Sequence, residues 1–318
     1  MLGNYVTHLA GRRESRPNAV FRAANSRLSG RTSSSMPAWL AECCARLILA
    51  SRIIDKFYSV FDRGRSALLL ALAPEAVVTS FNDLAYGRDV SYDPESPTFR
   101  RGLFAWEEKA IATYFPRPPS RVLVGGAGGG REVLALVEKG YEVTAFEPSA
   151  TLAAAMSCRF AERSNIRVYR ARYEDMPHLF PARPDAPSTT LEADSGFGAA
   201  VLGWGSYSHL RTEAQRIRTL SLFARYVRGP ILVSFFVDKN AHIGRFRSSL
   251  RSWLKRDPND FFSVYYGFAH NVSVAELEAA ASRSGLKIVH LNSGGTVDVP
   301  SPHAVLVPVD LAAQSSDA

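Results

Sequence analysis

The sequence is poor in cysteine: three in 318 residues, with Cys43 and Cys44 adjacent and Cys158 far away. That count and spacing build neither a disulfide framework nor a Cys-x-x-Cys metal site, so no metal and a reducing, cytoplasmic setting are expected. Long apolar runs are also missing. The longest, Ala67 to Ala73, has seven residues, far short of the ~18 a membrane-spanning helix needs, and no membrane partner is expected. Acidic residues are scarce at one end: residues 1–36 hold six arginines against Glu14 alone. Five of the eight net positive charges therefore sit on a Ser-, Arg- and Asn-rich stretch of disordered composition, which has no apolar segment of the secretory type. The rest of the chain is near neutral. It carries no basic stripe to follow a phosphate backbone, so nucleic acid is not an expected partner.

What is present is a globular composition, 46% hydrophobic and 21% charged, enough to bury a core. Strand patterns are missing from the first 119 residues. There, Trp39, Leu40, Cys43, Leu47, Ala50, Ile54 and Phe57 recur at three- and four-residue steps, the mark of an amphipathic helix. Helices are also expected over 66–82 and Phe104 to Phe115. From Arg121 the pattern changes to strand–helix alternation. Strands are predicted at Val122–Val124, Glu142–Phe146, Ile166–Tyr169, Ala199–Leu202, Pro230–Phe236, Leu286–Leu291 and Ala304–Val309, with helices between most of them. Such alternation predicts a three-layer α/β/α domain around a mostly parallel sheet. The expected organisation is a basic tail (1–36), a helical lid or interface region (37–119) through which a homodimer could form, a catalytic domain (120–310) with a helical insertion (241–272), and a short tail (311–318).

The strongest chemical signal is the glycine run Gly125 to Gly130 between a strand and a helix. Only glycine lets a backbone turn this tightly and approach a ligand, leaving helix N-terminal amides free for polar groups. Glu147, 21 residues after Gly126 at the end of the next strand, stands where a carboxylate can accept both hydroxyls of an adenosine ribose. Loop and acid together point to a nucleoside-containing cofactor.

The stretch Val122-Leu-Val-Gly-Gly-Ala-Gly-Gly-Gly-Arg-Glu132, followed by Gly140-Tyr-Glu-Val-Thr-Ala-Phe-Glu-Pro-Ser149, resembles the first two motifs of class I S-adenosylmethionine-dependent methyltransferases, over about residues 120–309. The resemblance implies a Rossmann-like sheet with an antiparallel last strand and S-adenosyl-L-methionine as cofactor. It places Gly126, Ala127, Gly128 and Gly130 under the methionine part, and Glu147 with Pro148 at the ribose. Val124 departs from the family, where an acid often stands. Tyr173-Glu-Asp-Met-Pro177 resembles the loop bordering the adenine, which makes Tyr173, Glu174 and Met176 candidates there. Leu202-Gly-Trp-Gly-Ser-Tyr-Ser-His-Leu210 is similar to the loop after the fourth strand in glycine N-methyltransferase-like enzymes. Gly203 and Trp204 then belong to the cofactor side, and Ser206, Tyr207 and His209 to the acceptor side.

His209 is a candidate general base, as is His270, since an unperturbed histidine titrates near neutrality. Tyr86, Tyr92, Trp106 and Tyr265 are candidates for an aromatic acceptor wall. The basic, amphipathic stretch 241–256 could meet an anionic acceptor. The expected activity is methyl transfer to a small molecule or peptide side chain. A nicotinamide oxidoreductase is the alternative within the same fold, although none of the 12 tyrosines is followed four residues later by lysine. A third reading is a methyltransferase-fold protein that binds without catalysis.

Overall fold

The computed structural model describes residues 75–88, 92–180, 196–237, 257, 259–263, 267–294 and 301–309, together with single helical positions between 43 and 61. The expectations for 1–36, for 241–256, for Tyr265 and for 311–318 lie outside the described residues. Residues 1–60 and 61–318 form two separate compact units. In the first, the described helical positions include Leu47, Ile54 and Phe57, all exposed.

The second unit opens with three helices, α1 (Glu75–Arg88), α2 (Pro97–Arg100) and α3 (Ala105–Tyr114). α1 extends past the expected end at 82, with no proline between Val77 and Arg88 to break it. The alternating part follows as expected: β1 (Arg121–Gly125), α4 (Arg131–Glu138), β2 (Glu142–Glu147), α5 (Ala150–Arg159), β3 (Ile166–Arg170), α6 (Met176–Leu179), β4 (Ala199–Leu202), α7 (Glu213–Tyr226) and β5 (Ile231–Ser234). A hairpin of β6 (Asp260–Ser263) and β7 (Gly267–His270) comes next, then α8 (Val274–Arg283), β8 (Leu286–Asn292) and β9 (His303–Pro308).

The main sheet has seven strands in the order β3-β2-β1-β4-β5-β9-β8. β9 runs antiparallel to both of its neighbours, while the other recorded pairs are parallel. Successive residues of a strand face opposite sides, and here both sides are buried. Leu123 joins the layer of Leu220 and Phe223 of α7 and Leu277 of α8. Val122 and Val124 join the layer of Ile111 of α3, Val133 and Leu136 of α4 and Met156 of α5. Two-sided burial explains why the strands read as continuous apolar runs. The chain order places β1 and β4 side by side at the centre, the point at which ligands bind beyond strand ends in such sheets.

The expected helical insertion over 241–272 is corrected where it is described. Asp260–Ser263 and Gly267–His270 pair antiparallel, Asp260 with His270 and Phe262 with Phe268. Aromatic residues favour a pleated surface, and Gly267 takes a left-handed φ of 69° at the start of β7. The hairpin is tied to α1 through Asn82. Its Oδ1 accepts the Phe268 N–H (2.9 Å) and its Nδ2 donates to the Phe268 carbonyl (3.4 Å). Phe81 packs on Phe262 and Phe268 beside this pair.

His270 is fully buried at the hairpin end, with Nδ1 against Asp260 Oδ1 (2.8 Å) and Nε2 against Glu276 Oε1 (3.3 Å). Burial and the nearby Arg216 pull its pKa down, but the bonds to Asp260 and Glu276 and the charge of Asp257 raise it overall. The hydrogen bonds to the two carboxyl groups thus favour the protonated ring. Its stabilisation is complete below the unfolded value near 6.5 and is lost as pH rises through the raised folded value. In urea unfolding, the stability difference between the wild type and His270→Gln is expected to shrink from pH 6 to pH 9. A difference that is constant or grows over that range would contradict a charged ring.

Candidate functional site

Three chain reversals meet at the ends of β1, β2 and β4. The β1 loop takes left-handed φ at Gly126, Gly128 and Gly130 (65°, 54° and 88°), a run that residues with side chains adopt only under strain. Its backbone touches the β4 loop directly. The Gly203 N–H donates to the Gly125 carbonyl (2.8 Å), and a Cβ on Gly203 would lie 2.1 Å from the Gly126 oxygen. No side chain fits there.

Glu147, buried at the end of β2, is held by two backbone amides: Gly128 N–H donates to Oε2 (2.8 Å) and Ser149 N–H to Oε1 (2.9 Å). Amide donation favours the ionised carboxylate and fixes its direction. Tyr173 rises beneath the loop with its ring enclosed. Its hydroxyl donates to Ser206 Oγ at 2.7 Å and also lies 3.2 Å from the Gly125 carbonyl. Burial pushes that phenol's pKa up, so it stays a donor. The β4 loop is tied in turn to the end of β5, by the Gly205 N–H on Ser234 Oγ (2.9 Å) and the Phe236 N–H on Ser208 Oγ (2.8 Å).

These reversals enclose a cleft of about 810 Å³, its open mouth included. The glycine loop and Glu147 form one wall. Tyr86, Tyr92, Phe99 and Trp204 form the aromatic surround, with Ser206 and His209 opposite. Trp204 is 42% exposed at the mouth and meets Phe104 edge-on at 5.2 Å.

Arg131, at the start of α4, is the one cationic side chain among the described lining residues. Its guanidinium is bound by both oxygens of Glu107 (2.7 Å each), by Glu132 (2.6 Å) and by the Gly102 carbonyl (2.6 Å), over the face of Phe104. All three charged groups are buried. Burial, with the charge of Glu132, lifts the Glu107 carboxyl to about 7 against the bonds from Arg131. Two carboxyl groups thus share one guanidinium, which has no charge left for a ligand, and Glu147 adds a further negative charge.

Of the residues expected at the site, Gly126, Ala127, Gly128, Glu147, Pro148, Tyr173, Trp204, Ser206 and His209 line the cleft. Gly130 and Gly203 shape its walls by backbone packing without lining it. Glu174 is exposed near Arg172, and Met176 is core. The structure does not bring Tyr207, Trp106 or His270 to the cleft. Tyr207 is wholly buried, Trp106 stacks on His303 at 4.5 Å, and His270 closes the hairpin. Loop position and residue type marked Tyr207 and His270, and residue type marked Trp106 in the helical region, but loops and helices have a core side as well as an open one. Arg131, Glu132, Thr98, Phe99 and Leu152 line the cleft without having been assigned a role; the Arg-Glu pair directly after the glycines was the available signal.

His209 makes two hydrogen bonds: Nδ1 to the Phe268 carbonyl (3.0 Å) and Nε2 to the Tyr86 hydroxyl (2.6 Å). Burial drops its pKa to about 4, so the ring is neutral at physiological pH.

No protein-family model matches this chain, and no curated protein matches it. Solved structures do. The PH0226 protein from Pyrococcus horikoshii OT3 aligns with a TM-score of 0.51 at 14% identity, over 70% of this chain and 97% of its own. The CcbJ methyltransferase from Streptomyces caelestis aligns at 0.48 and 15%, over 70% and 98%. An S-adenosylmethionine-dependent methyltransferase from Methanosarcina mazei aligns at 0.46 and 16%, over 64% and 96%. At such identities the likeness is one of fold. The shared fold is a mostly parallel seven-stranded sheet flanked by helices, with β9 as the antiparallel strand.

Breaking a buried ion pair by removing one partner leaves an uncompensated charge, worth about 3–5 kcal/mol. Arg131→Met is therefore expected to lower unfolding stability by roughly that amount. Adding Glu107→Gln should recover part of the loss. Denaturant titration of the single and double variants checks both, and no recovery in the double variant would deny the shared guanidinium.

Proposed function

We propose that this chain is an S-adenosylmethionine-dependent methyltransferase acting on a small-molecule or peptide side-chain acceptor. The observation that carries the reading is the charge of the cleft. A glycine loop at a helix N-terminus also serves the diphosphate of a dinucleotide. Here Glu132 occupies the first turn of that helix, Arg131 is already paired, and Glu147 is a carboxyl group held by the Gly128 and Ser149 amides. Like charges would oppose a diphosphate, whereas a cationic nucleoside meets carboxylates.

The residues fit the cofactor. Glu147, oriented by the Gly128 and Ser149 amides, would take the ribose hydroxyls. Gly126 and Gly128, which line the cleft, would lie along the chain that joins ribose to the amino acid, and Pro148 and Leu152 would face the base. Bound there, the cofactor supplies an electrophilic methyl group. The chain's own residues supply the rest: a fixed orientation, an aromatic surround of Tyr86, Tyr92, Phe99 and Trp204 that excludes water, and alignment of an acceptor, where much of the catalysis arises.

No described helix is long and apolar enough to cross a membrane, and a cytoplasmic location agrees with the unpaired, exposed Cys43 and Cys158. The exposed apolar positions Leu47, Ile54 and Phe57 support a homodimer through the N-terminal helices. Calorimetry with S-adenosylhomocysteine tests the proposal. Binding is expected, and Glu147→Ala should weaken it by about 1–3 kcal/mol, the range for lost hydrogen bonds to a charged group. Tighter binding of NAD than of S-adenosylhomocysteine would overturn the reading in favour of an oxidoreductase.

A further inference from the structure

We propose that Tyr86 is the residue that takes the proton from a hydroxyl-bearing acceptor, with His209 behind it as the proton's destination. This rests on the methyltransferase reading. It goes beyond that reading in moving the base from His209 to a two-residue relay and in naming the acceptor class.

The geometry comes from a single backbone carbonyl. Asn82 and Tyr86 are four residues apart on α1 and so share one face of the helix. Asn82 pairs with both backbone groups of Phe268 and thereby fixes α1 on β7. The same Phe268 carbonyl stands 3.0 Å from His209 Nδ1. A carbonyl only accepts, so Nδ1 carries the ring hydrogen, and in the neutral ring Nε2 is left as an acceptor. Nε2 lies 2.6 Å from Tyr86 Oη, and the phenol therefore donates its one hydrogen to the histidine. The pKa of His209, held near 4 by burial, keeps the ring in this accepting form.

Two consequences follow for the cleft, which Tyr86 and His209 both line. Both ring nitrogens of His209 are engaged, so the histidine presents no free base to an acceptor. Tyr86, its hydrogen committed, can only accept a hydrogen bond from one. A group that carries a hydrogen, such as a hydroxyl, is recognised at this position, and an ether or carbonyl oxygen is not.

The proton step is a double shift. The acceptor's O–H hydrogen moves to Tyr86 Oη as the Tyr86 hydrogen moves to His209 Nε2. The imidazole becomes an imidazolium, the phenol is restored, and the electron pair of the broken O–H bond stays on the acceptor oxygen. A weak base suffices, because the acceptor oxygen would be sharing its lone pair in a new O–C bond while the methyl's C–S bond breaks and leaves its electron pair on the thioether sulfur, and such an oxygen holds its proton far less tightly than a free alcohol does. General base assistance of this kind contributes typically 10²–10⁴-fold.

The test uses the full chain, labelled with ¹⁵N-histidine, at pH 7. Long-range N–H correlation spectra should show His209 as the Nδ1–H tautomer, with Nε2 shifted by an incoming hydrogen bond. In Tyr86→Phe the tautomer should persist and Nε2 should move towards the position of an unbonded nitrogen. An Nε2–H tautomer, a cationic ring, or an Nε2 signal indifferent to Tyr86→Phe would overturn the relay. A second arm titrates phenol and its capped form anisole into protein saturated with S-adenosylhomocysteine. Phenol is expected to bind about fivefold more weakly to Tyr86→Phe, one neutral hydrogen bond's worth, with anisole and S-adenosylhomocysteine unchanged. Equal phenol affinity in the two proteins would overturn the acceptor role. If S-adenosylhomocysteine failed to bind while the His209 spectrum was as expected, the methyltransferase reading would fall and take the acceptor role of Tyr86 with it.

Discussion

The grip of two backbone amides on the Glu147 carboxylate is the constraint on which the rest of the cleft depends. One amide, from Gly128, belongs to the loop after β1, and the other, from Ser149, opens α5. A single side chain thus sets the distance between the ends of two neighbouring strands and fixes the shape of the glycine loop. Both donors are main-chain groups, so the carboxyl group is oriented without consuming a cation. The cleft can then be negative overall while the fold remains stable. The opposite wall is set by backbone contact at Gly203, and the Tyr173 hydroxyl on Ser206 Oγ fixes the height at which the two loops stack.

The aromatic side of the cleft is built differently. Tyr92 lies against the glycine loop, where a Cβ on Gly128 would come within 2.7 Å of its ring, and Tyr86 meets it edge-on at 5.9 Å. These residues reach the cleft because α1 is fastened to β7 by Asn82 and its neighbour Phe81 packs on the hairpin's phenylalanines. In the proposed function, recognition of the nucleoside would rest on the sheet, and recognition of the acceptor on elements added to it. This division fits a fold that serves many acceptors from one cofactor site.

The sheet and the cofactor wall were legible in the sequence because their signals are local. A strand, a glycine turn, a helix and an acid at the next strand's end lie within about thirty residues, and each residue type has one physical reason to be there. The acceptor side was not legible, because its contacts span the chain: Asn82 and Phe268 are separated by 186 residues and Tyr86 and His209 by 123. The Arg131–Glu107 pair, 24 residues apart, was missed for the same reason, since a surface charge and a buried partner look alike in a sequence. The β6–β7 hairpin followed a stretch of helical periodicity and inherited its assignment. His270, Trp106 and Tyr207 have suitable chemistry, but only packing reveals that they face the core.

The central claim is that Glu147, fixed by the Gly128 and Ser149 amides, is a ribose receptor for a cationic nucleoside cofactor. A crystal structure of the chain with S-adenosylhomocysteine tests it most directly. The account predicts both ribose hydroxyls within hydrogen-bonding distance of the Glu147 carboxylate and the thioether directed towards Tyr86. A ligand seated elsewhere, or a Glu147 that makes no contact with the sugar, would contradict it.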